Sequence, residues 1–477
     1  MFYPGFEEFK KIAKKGNLIP VYREILADME TPVSAFSKLG DTSYACLLES
    51  VEGGEKQGRY SFLSTDIVFT LKPGDDAKSS FSEIEKMMLS YKPVTIKGLP
   101  RFYGGLVGYI SYDMISYIEK IKSKNPDELK LPVYGLMLTG TTLIFDHVTR
   151  TIKVVTCVNV PKNGRELGKN YKRACGKIDA VIEKLRKPVK ISARNKKSRK
   201  IRIESNFKKK EFMEAVRKAK TYIRAGDIIQ TVLSQRLKTR IKASPFDVYR
   251  ALRVVNPSPY MYYLKLGDMV LAGSSPETLV RNEDGLVTVR PIAGTRQRGK
   301  DEAEDKKLQR QLLANEKEKA EHIMLVDLGR NDLGRVCEYG SVKVTELMTV
   351  ERYSHVMHIV SEVTGKLRKN QSSFDVIKAC FPAGTVSGAP KIRAMEIIDE
   401  LENIKRGPYA GAVGYFSYQG NMDMAINIRT ILFIKNTAYV QAGAGIVADS
   451  VPENEYNETL NKAKAMVKAI ELAEEGL

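Results

Sequence analysis

The spacing of hydrophobic residues predicts two regions with different structures. In residues 1–185, short segments of alternating polarity, such as 44–50, 60–63 and 67–71, are separated by Gly-Gly and Pro-Gly pairs. A period of two residues is typical of strands with one buried face, and Gly and Pro mark the turns between strands. Residues 1–185 are therefore predicted to form a β-rich N-terminal lobe.

Helical spacing becomes prominent further along the chain. Phe212, Val216, Ala219 and Ile223 recur at intervals of four, three and four residues, and Gly226 follows. This spacing predicts an amphipathic helix that ends with glycine at the C′ position. Further helices are predicted at 302–328, 390–403 and 455–474, and strands at 228–237, 269–281, 286–291, 410–418, 423–434 and 437–443. The mixture predicts an α+β fold in which helices cover the outer faces of large sheets.

A basic segment separates the two regions. Between residues 186 and 210, twelve of 25 residues are Lys or Arg. We interpret residues 186–206 as an exposed connector that leads to a C-terminal region at 207–477. Apart from Phe207, the segment lacks aromatic residues that could stack on nucleic-acid bases, so the net charge of +20 does not by itself indicate nucleic-acid binding.

Composition narrows the class of protein. A chain of 477 residues with 43% hydrophobic and 28% charged residues can bury a large core and is typical of soluble globular proteins. No apolar run reaches the roughly 18 residues that a membrane span needs, so a cytoplasmic location without membrane association is expected. The five cysteines are scattered and form no C-x-x-C pair, which argues against a disulfide framework or a zinc ribbon.

Two neighbouring segments predict a pocket for an anion. Strand periodicity over 423–430 places Arg429 on the same face as Asp423, Ala425 and Asn427, away from an apolar layer. The sequence Gly443-Ala444-Gly445 follows the next predicted strand, where bare backbone N–H groups could approach an oxyanion. An arginine and a glycine cradle both suit carboxylates.

The same glycines form part of a G-x-G-x-x-A sequence, which matches the dinucleotide fingerprint only formally. Residues 449–452 interrupt the helix that would have to begin there, and no βαβ unit surrounds the motif. Residues 384–391 imitate a phosphate loop but lack the Gly-Lys-Ser/Thr ending. Neither a dinucleotide nor ATP is therefore predicted as a ligand.

The acidic and histidine side chains allow two interpretations, as solvated or structural groups and as metal ligands. Glu455 and Glu458 lie three residues apart at the start of the last predicted helix, and Glu321 lies within another helix. Helical glutamates are most often solvated, although Mg²⁺ prefers one or two carboxylates with water and an anionic substrate. His355 and His358 are spaced at i and i+3, but four histidines in the chain are too few and too scattered for a convincing zinc site.

Several separated motifs together resemble a known family. The segments 290–296, 381–391, 424–430 and 442–446, with the acidic segment 449–458 after them, resemble the chorismate-binding core of anthranilate synthase component I. The resemblance covers nearly the whole chain, with at least six motifs in the right order. It implies the fold of the chorismate-utilising enzymes, in which both halves of the sequence interleave around facing sheets and helices lie outside.

The resemblance also implies roles for individual residues. Glu321 and Glu458 match the magnesium-binding positions. His358 would border the substrate and could orient or exchange a proton, Glu277 would be an acid near the departing hydroxyl, and Thr385 would assist there. The positions that would hold the substrate are Gly294, Thr295, Tyr409, Arg429, Gly443, Ala444 and Gly445.

Two positions discriminate between members of the family. Relatives that install water carry a lysine base where this chain has Gln230, and a glutamine cannot deprotonate water. Aminodeoxychorismate synthases typically carry a nucleophilic lysine where this chain has Ala293. The interpretation is therefore Mg²⁺-dependent conversion of chorismate and ammonia to anthranilate and pyruvate, and the folate-branch aminodeoxychorismate synthase component I remains the alternative.

A partner and a regulator are expected on the same basis. The chain has no Cys-nucleophile elbow of a glutaminase, so a separate glutamine amidotransferase subunit would supply ammonia within a hetero-oligomer. Segments 47–50 and 256–261 match those that bind tryptophan as a feedback inhibitor in the family, although Gln57 stands where relatives often have Trp. The predicted tryptophan-binding residues are Glu49, Ser50, Lys56, Pro259, Tyr260 and Met261.

Overall fold

A computed structural model describes residues 1–40, 42–50, 58–73, 77–121, 123–161, 166–189, 201–353 and 356–476. Its helices are α1 Phe6–Ile12, α2 Pro32–Leu39, α3 Ala77–Ser90, α4 Ile115–Ile118, α5 Leu167–Leu185, α6 Lys209–Ala225, α7 Pro245–Val255, α8 Glu302–Ala314, α9 Glu316–Gly334, α10 Ser373–Cys380, α11 Lys391–Leu401 and α12 Pro452–Glu475. Two short 3₁₀ helices cover Tyr112–Met114 and Gly384–Val386. None of the helices in these ranges is long and apolar enough to cross a membrane.

Twenty strands lie between the helices in the described ranges. They are β1 Leu18–Leu26, β2 Tyr44–Glu49, β3 Tyr60–Leu71, β4 Gly105–Ile110, β5 Tyr134–Asp146, β6 Thr151–Asn159, β7 Glu204–Ser205, β8 Gln230–Arg240, β9 Tyr260–Leu266, β10 Met269–Ser275, β11 Thr278–Glu283, β12 Leu286–Val289, β13 Ile292–Gln297, β14 Lys343–Arg352, β15 Val356–Lys366, β16 Gly388–Ala389, β17 Ala412–Ser417, β18 Met422–Ile426, β19 Thr430–Ile434 and β20 Thr437–Ile446.

Strand β5 is the branch point of the sheet. One series of antiparallel pairings runs from β5 through β3, β2, β9, β10, β19 and β20 to β8. A second series runs from β5 through β4, β17, β18, β11 and β12 to β15. Because β2 pairs with β9 and β4 pairs with β17, strands from both halves of the sequence interleave.

The two series of strands face one another across a shared core. Val107, Tyr109 and Met137 from β4 and β5 are buried against Leu264 and Leu271 from β9 and β10. Helices lie on the outside, where α12 packs on β20 and α7, and α5 packs on β6. The predicted α+β fold with facing antiparallel sheets and outer helices is confirmed.

The predicted helix at Phe212–Ile223 is also confirmed, and it ends before Gly226, whose φ of 84° suits glycine. The single helix predicted over 302–328 is wrong. The chain forms α8 and α9 instead, because Asn315 adopts an extended conformation and its side chain caps α9 by accepting hydrogen bonds from Lys317 N and Glu318 N. A capping residue of this type within a helical pattern divides it.

Three predicted strands are shorter than expected. The segment 269–281 divides into β10 and β11 around Pro276 and Glu277, and 286–291 ends at Val289 before β13 begins. The segment 423–434 divides into β18 and β19, so that Asn427, Ile428 and Arg429 leave the strand. Arg429 therefore lies outside the strands, although the sequence predicted it on a strand face.

A buried ion pair ties several elements together. Arg406 is 2% exposed and donates to Glu402 from Nε at 2.9 Å and from Nη2 at 2.6 Å. Its remaining N–H groups donate to the carbonyl groups of Val386 and Val232. Glu402 also accepts hydrogen bonds from the backbone and hydroxyl of Ser234 at 2.8 Å. The pair therefore joins the end of α11, strand β8 and the 3₁₀ helix at 384–386.

We expect Glu402→Ala to destabilise the protein by about 3 kcal/mol or more, since it leaves the Arg406 guanidinium buried without its counter-ion. The measurement is the urea midpoint of unfolding. Glu302→Ala is the matched control, because Glu302 is 79% exposed and, among the described residues, pairs only with Lys306 of its own helix. Equal midpoints for the two variants would contradict the assigned role of Glu402.

Candidate functional site

Lys462 on helix α12 lies at the centre of the candidate site. Its ammonium donates to the carbonyl of Gly443 on β20 at 3.0 Å and pairs with Glu458, one turn earlier on the helix, at 2.7 Å. The carbonyl of Lys462 accepts a hydrogen bond from Arg429 Nη1 at 2.9 Å. Packing of α12 on β20 therefore brings an ammonium, a guanidinium and a carboxylate into one space.

Glu321 reaches this space from helix α9. Its carboxylate accepts a hydrogen bond from Gln230 Nε2 at 3.3 Å. Burial raises the pKa of Glu321, and the amide of Gln230 and the charge of Lys462 oppose that rise. Gln230 is 4% exposed, and its Oε1 atom has no hydrogen-bond partner among the described residues.

Carboxylates from two helices face the same space and could hold a metal ion. Burial and the charge of Glu458 raise the pKa of Glu455, and the charges of Lys462 and Lys317 oppose that rise. The same two lysines oppose the rise in the pKa of Glu321. In the described part of the chain, no three acidic, His or Cys side chains form a closed metal cluster. Mg²⁺ takes one or two carboxylates together with water and substrate oxygens, so Glu321 and Glu458 are of the ligand type that this ion would need.

Glu277 is a buried acid at another wall of the site. It follows β10, and its backbone carbonyl accepts a hydrogen bond from Ile426 N at 3.0 Å. Burial raises the pKa of Glu277 to about 8, although the hydroxyl of Thr385 donates to its Oε1 at 2.9 Å and Lys462 acts in the same lowering direction. The carboxyl group is therefore protonated at neutral pH and can donate a proton.

His358 is held as a neutral imidazole. Its Nδ1 atom lies 2.9 Å from the carbonyl of Gly294 and 3.1 Å from the hydroxyl of Thr295. Because the carbonyl can only accept, we assign the proton to Nδ1 and leave Nε2 as the acceptor. Burial lowers the pKa of His358, and the charge of Arg429 lowers it further. The structure thus brings together three residues that the resemblance assigned to the site, His358, Gly294 and Thr295.

The predicted strand position of Arg429 is wrong, although its side chain still reaches the site. Arg429 lies in the turn between β18 and β19 with a φ of 53°, a left-handed conformation that interrupts the alternation of side chains along an extended strand. Burial lowers the pKa of Arg429. Tyr409 lies near it, and burial raises the pKa of that phenol to about 12 although the charge of Arg429 opposes the rise.

Two glycines on β20 allow side chains to approach the strand closely. A Cβ atom on Gly443 would lie 2.7 Å from the Tyr409 hydroxyl, and one on Gly445 would lie 2.7 Å from Gln230 Nε2. Ala444 points the other way, into a core with Phe212. The two glycines therefore line the site, whereas Ala444 contributes only its backbone.

The segments predicted to bind tryptophan lie side by side. Glu49 is paired with Met261 in the antiparallel register of β2 and β9. The carboxylate of Glu49 is buried and accepts hydrogen bonds from Tyr249 at 2.5 Å and Arg253 at 3.1 Å. It therefore anchors β2 to helix α7.

The other residues of this predicted site differ in their surroundings. The hydroxyl of Tyr260 donates to Asp423 at 2.8 Å and accepts from Arg281 at 3.0 Å, while Ser50 is half-buried and Pro259 is buried. Three further residues that the sequence singled out, Lys56, Gln57 and His355, lie outside the described residues.

Sequence reasoning missed Lys462. The residue lies four positions after Glu458 on a predicted helix, and residues at i and i+4 share one face. The spacing to Glu458 could therefore have indicated that Lys462 belongs to the site. What the spacing could not reveal is that this face is covered by β20 and by Arg429.

The fold and the site define a chorismate-binding enzyme. The family model for chorismate binding enzymes matches residues 44–468, so the chain belongs to this family and is an enzyme that acts on chorismate. It is 51% identical to anthranilate synthase component 1 of Aquifex aeolicus, over 99% of this chain and 98% of the relative.

Solved structures agree with this assignment. The chain is similar to anthranilate synthase component I from Streptococcus pneumoniae, with a TM-score of 0.77 and 39% identity over 93% of this chain and 98% of that one. The menaquinone-specific isochorismate synthase from Escherichia coli has a TM-score of 0.72 at 19% identity, over 98% of each chain. At that identity the likeness concerns the fold alone.

The raised pKa of Glu277 predicts how the stability of the protein changes with pH. Between the ordinary pKa of 4.5 and the folded value of about 8, unfolded Glu277 loses its proton while folded Glu277 retains it, so wild-type stability falls as pH rises through this window. Glu277→Gln has no proton to retain. We expect the variant to gain stability relative to wild type as pH rises from about 5 to about 8, and the difference to level off above that.

The measurement is the urea midpoint at a series of pH values. The control is Glu302→Gln, which changes an exposed carboxylate. Wild type and Glu277→Gln with parallel pH dependences would show that Glu277 ionises normally.

Proposed function

We propose that this chain is the large subunit of an anthranilate synthase, which converts chorismate and ammonia to anthranilate and pyruvate with Mg²⁺ as its metal ion. The observation that carries the proposal is Gln230, a buried amide beside Glu321 where relatives that add water carry a lysine base. Homology to anthranilate synthase component 1 along nearly the whole chain supports the same reaction.

The proposed reaction has two steps, and its atoms balance. Ammonia forms a bond to C2 of the ring while the C4–O bond breaks and the hydroxyl leaves as water. The C2 proton is then removed, and the bond to the enolpyruvyl oxygen breaks with release of pyruvate. One chorismate and one ammonia thus yield one anthranilate, one pyruvate and one water.

Glu277 is the proton donor to the departing hydroxyl. Its raised pKa of about 8 keeps the proton available at neutral pH, and the hydroxyl of Thr385 fixes the orientation of the carboxyl group. His358 is the base for the C2 proton, because its Nδ1 donates to the carbonyl of Gly294 and its Nε2 is therefore the acceptor nitrogen of the ring. A buried acid and a neutral imidazole are the protonation states that the two steps require.

The charged groups around Lys462 hold the substrate. Arg429 and Lys462 offer positive charge to a carboxylate of chorismate, and Tyr409 borders the ring beside Gly443. Glu321 and Glu458 would hold Mg²⁺, which supplies neutralisation of the ring carboxylate and stabilises charge as bonds change. Gln230 Oε1 can accept a hydrogen bond from ammonia, and its amide cannot act as the base that water would need.

We expect the purified chain to form anthranilate and pyruvate in equal amounts from chorismate, ammonium and Mg²⁺. The measurement follows anthranilate fluorescence and coupled pyruvate detection in the same sample. Chelation of Mg²⁺ should abolish both signals and re-addition should restore them, since the carboxylates alone repel an anionic substrate.

A different product would identify another member of the family. Loss of chorismate without pyruvate would mean that the second step does not occur, as in an aminodeoxychorismate synthase, and would contradict the proposal. The side chain of Ala293 offers no amine for that alternative.

The nitrogen of the product would come from glutamine through a separate amidotransferase subunit. The relatives are named component 1, which implies a further component in those enzymes. Ammonium ions should replace that subunit in the assay, because the chemistry on this chain uses ammonia itself.

We further propose feedback inhibition by tryptophan bound where β2 ends and β9 begins. Support comes from the pairing of Glu49 with Met261 and from the register of β9 with β10, whose residue Ser274 donates its backbone N–H to the carbonyl of Arg429 at 3.1 Å. Strand β10 therefore links the proposed regulatory site to an active-site arginine. A coupling free energy of about 1 to 3 kcal/mol is sufficient for such control.

Arg253→Met is expected to weaken inhibition by tryptophan about ten-fold, because Glu49 would lose one of its two anchors on α7. The readout is the tryptophan concentration that halves anthranilate formation, with turnover in the absence of tryptophan unchanged. Arg250→Met is the matched control, since Arg250 lies on the same helix and its ion pair in the described part of the chain is with Asp247. Unaltered inhibition in Arg253→Met would contradict the proposed site.

A further inference from the structure

The buried guanidinium of Arg406 contacts three segments that carry residues of the candidate site. Nη1 donates to the carbonyl of Val386 at 2.7 Å, and Nη2 donates to the carbonyl of Val232 at 2.6 Å. The Cζ atom also lies 5.7 Å from the centre of the Tyr409 ring. One side chain therefore joins the 3₁₀ helix at 384–386, strand β8 and the phenol that borders the proposed substrate.

The bond to Val386 bears on the proton donor. Val386 follows Thr385, whose hydroxyl donates to Glu277 Oε1 at 2.9 Å. The 3₁₀ helix that carries both residues is three residues long, and the two backbone bonds that close it measure 3.2 and 3.3 Å, so it holds its own orientation weakly. The donor from Arg406 therefore limits how far Thr385 can turn away from the carboxyl group.

The contacts with Val232 and Tyr409 act on two further residues of the site. Val232 lies two positions after Gln230, so the bond to its carbonyl fixes the guanidinium relative to the strand that carries Gln230. The hydroxyl of Tyr409 is so close to Gly443 that a Cβ atom on this glycine would lie 2.7 Å from it. Burial raises the pKa of the phenol, and the charge of Arg406 is the largest influence that opposes the rise. Arg406 therefore acts on Tyr409 both by contact and by charge.

The guanidinium itself has little freedom to move. Glu402 accepts hydrogen bonds from both Nε and Nη2, and the centre of the Tyr112 ring lies 4.6 Å from Cζ. Burial lowers the pKa of Arg406, but the charge of Glu402 opposes this effect, and the pKa lies above its ordinary value. Arg406 therefore stays charged, and its planar fork of donors keeps fixed directions.

We propose that Arg406 is a positioning residue for the reaction and that its guanidinium sets the orientations of Thr385 and Tyr409, an inference that rests on the proposed function. Thr385 must face Glu277 when the hydroxyl leaves, and Tyr409 must border the ring. A displacement of about 1 Å within a reacting arrangement can cost about 100-fold in rate. If Arg406 served only to neutralise Glu402 in the interior, loss of both charges would leave the rate unchanged.

The first variant is Arg406→Lys in the full-length chain. Lysine keeps a positive charge beside Glu402, but its single ammonium lacks the planar fork that reaches the carboxylate and the two carbonyl groups together. We expect kcat for ammonium-dependent anthranilate formation to fall about ten-fold or more. Titration of chorismate with Mg²⁺ and without ammonium counts the binding-competent sites, and kcat is expressed per site so that unfolded chains do not lower it.

The second variant combines Arg406→Met with Glu402→Gln. It removes both charges, and the amide oxygen of Gln can still accept from Ser234, as Glu402 does at 2.8 Å. Uncharged replacements of a buried ion pair are often neutral for stability, so we expect a urea midpoint closer to wild type than that of Glu402→Ala. The kcat per site should still fall about ten-fold or more, because methionine donates nothing to the carbonyl of Val386. This variant decides the question if Arg406→Lys does not fold.

Arg59→Lys is the matched control. Arg59 donates to Asp146 from Nε at 3.2 Å and from Nη2 at 2.8 Å, which is a similar two-point contact with a carboxylate, just before β3. The substitution should leave kcat within about two-fold of wild type, because it removes a fork of donors outside the candidate site.

The pH profile separates positioning from folding. Burial raises the pKa of Glu277 to about 8, and the hydroxyl of Thr385 and the charge of Lys462 oppose that rise. If Thr385 turns away in the variants, the pKa of Glu277 should rise further, while Lys462 is unchanged. The alkaline limb of kcat/KM, which reports the acid of the free enzyme, should therefore move to higher pH than in wild type.

The outcomes also separate this inference from the proposed function. A kcat per site within about two-fold of wild type in either variant would overturn the positioning role. A lower kcat with an unshifted alkaline limb would overturn it as well, because Thr385 would still face Glu277. Absence of anthranilate formation by the wild type would instead contradict the proposed function. The pKa of Glu277 in Arg406→Lys could then still be compared with wild type through the pH dependence of the urea midpoint, which requires no turnover.

Discussion

The site depends on the packing of helix α12 against strand β20. This contact places the ammonium of Lys462 on the Gly443 carbonyl and the carbonyl of Lys462 on the Arg429 guanidinium. Lys462 therefore positions the carboxylate of Glu458 and the cation of Arg429 in one place, and its charge opposes the rise that burial causes in the pKa of Glu277 and Glu321.

Burial sets the protonation states around this centre. It keeps the proton on Glu277 and lowers the pKa of His358, so an acid and a neutral imidazole coexist near neutral pH. Because the pKa of Glu277 is raised and the pKa of His358 is lowered, the first can act as the acid and the second as the base. Buried polar groups also need hydrogen-bond partners, which Thr385 provides for Glu277 and Gly294 provides for His358.

Periodicity and local chemistry predicted much of the fold but few of the contacts in the site. The helix that ends at Gly226 was predictable because its apolar spacing and its C′ glycine agree. Arg429 was placed wrongly because alternation continues through Asn427 while the backbone turns into a left-handed conformation. The division at Asn315 was missed because helical spacing continues on both sides of the cap.

Contacts between distant segments follow from the tertiary fold and leave no mark in local spacing. Gln230 and Glu321 are 91 residues apart, and Thr385 and Glu277 are 108 residues apart. The resemblance to a family assigned roles to these four residues, but it did not include their hydrogen bonds. Lys462 was accessible from its spacing to Glu458, yet only the packing of α12 reveals what it contacts.

Diffraction from crystals of the protein soaked with Mn²⁺, which substitutes for Mg²⁺, would show whether Glu321 and Glu458 bind one metal ion. We expect an anomalous peak bound by oxygen atoms of both Glu321 and Glu458, at distances close to the roughly 2.0 to 2.1 Å of Mg²⁺. We also expect Lys462 to remain on the carbonyl of Gly443 beside the ion. A peak that touches neither carboxylate would contradict the arrangement in which α9 and α12 form one metal-binding and substrate-binding site.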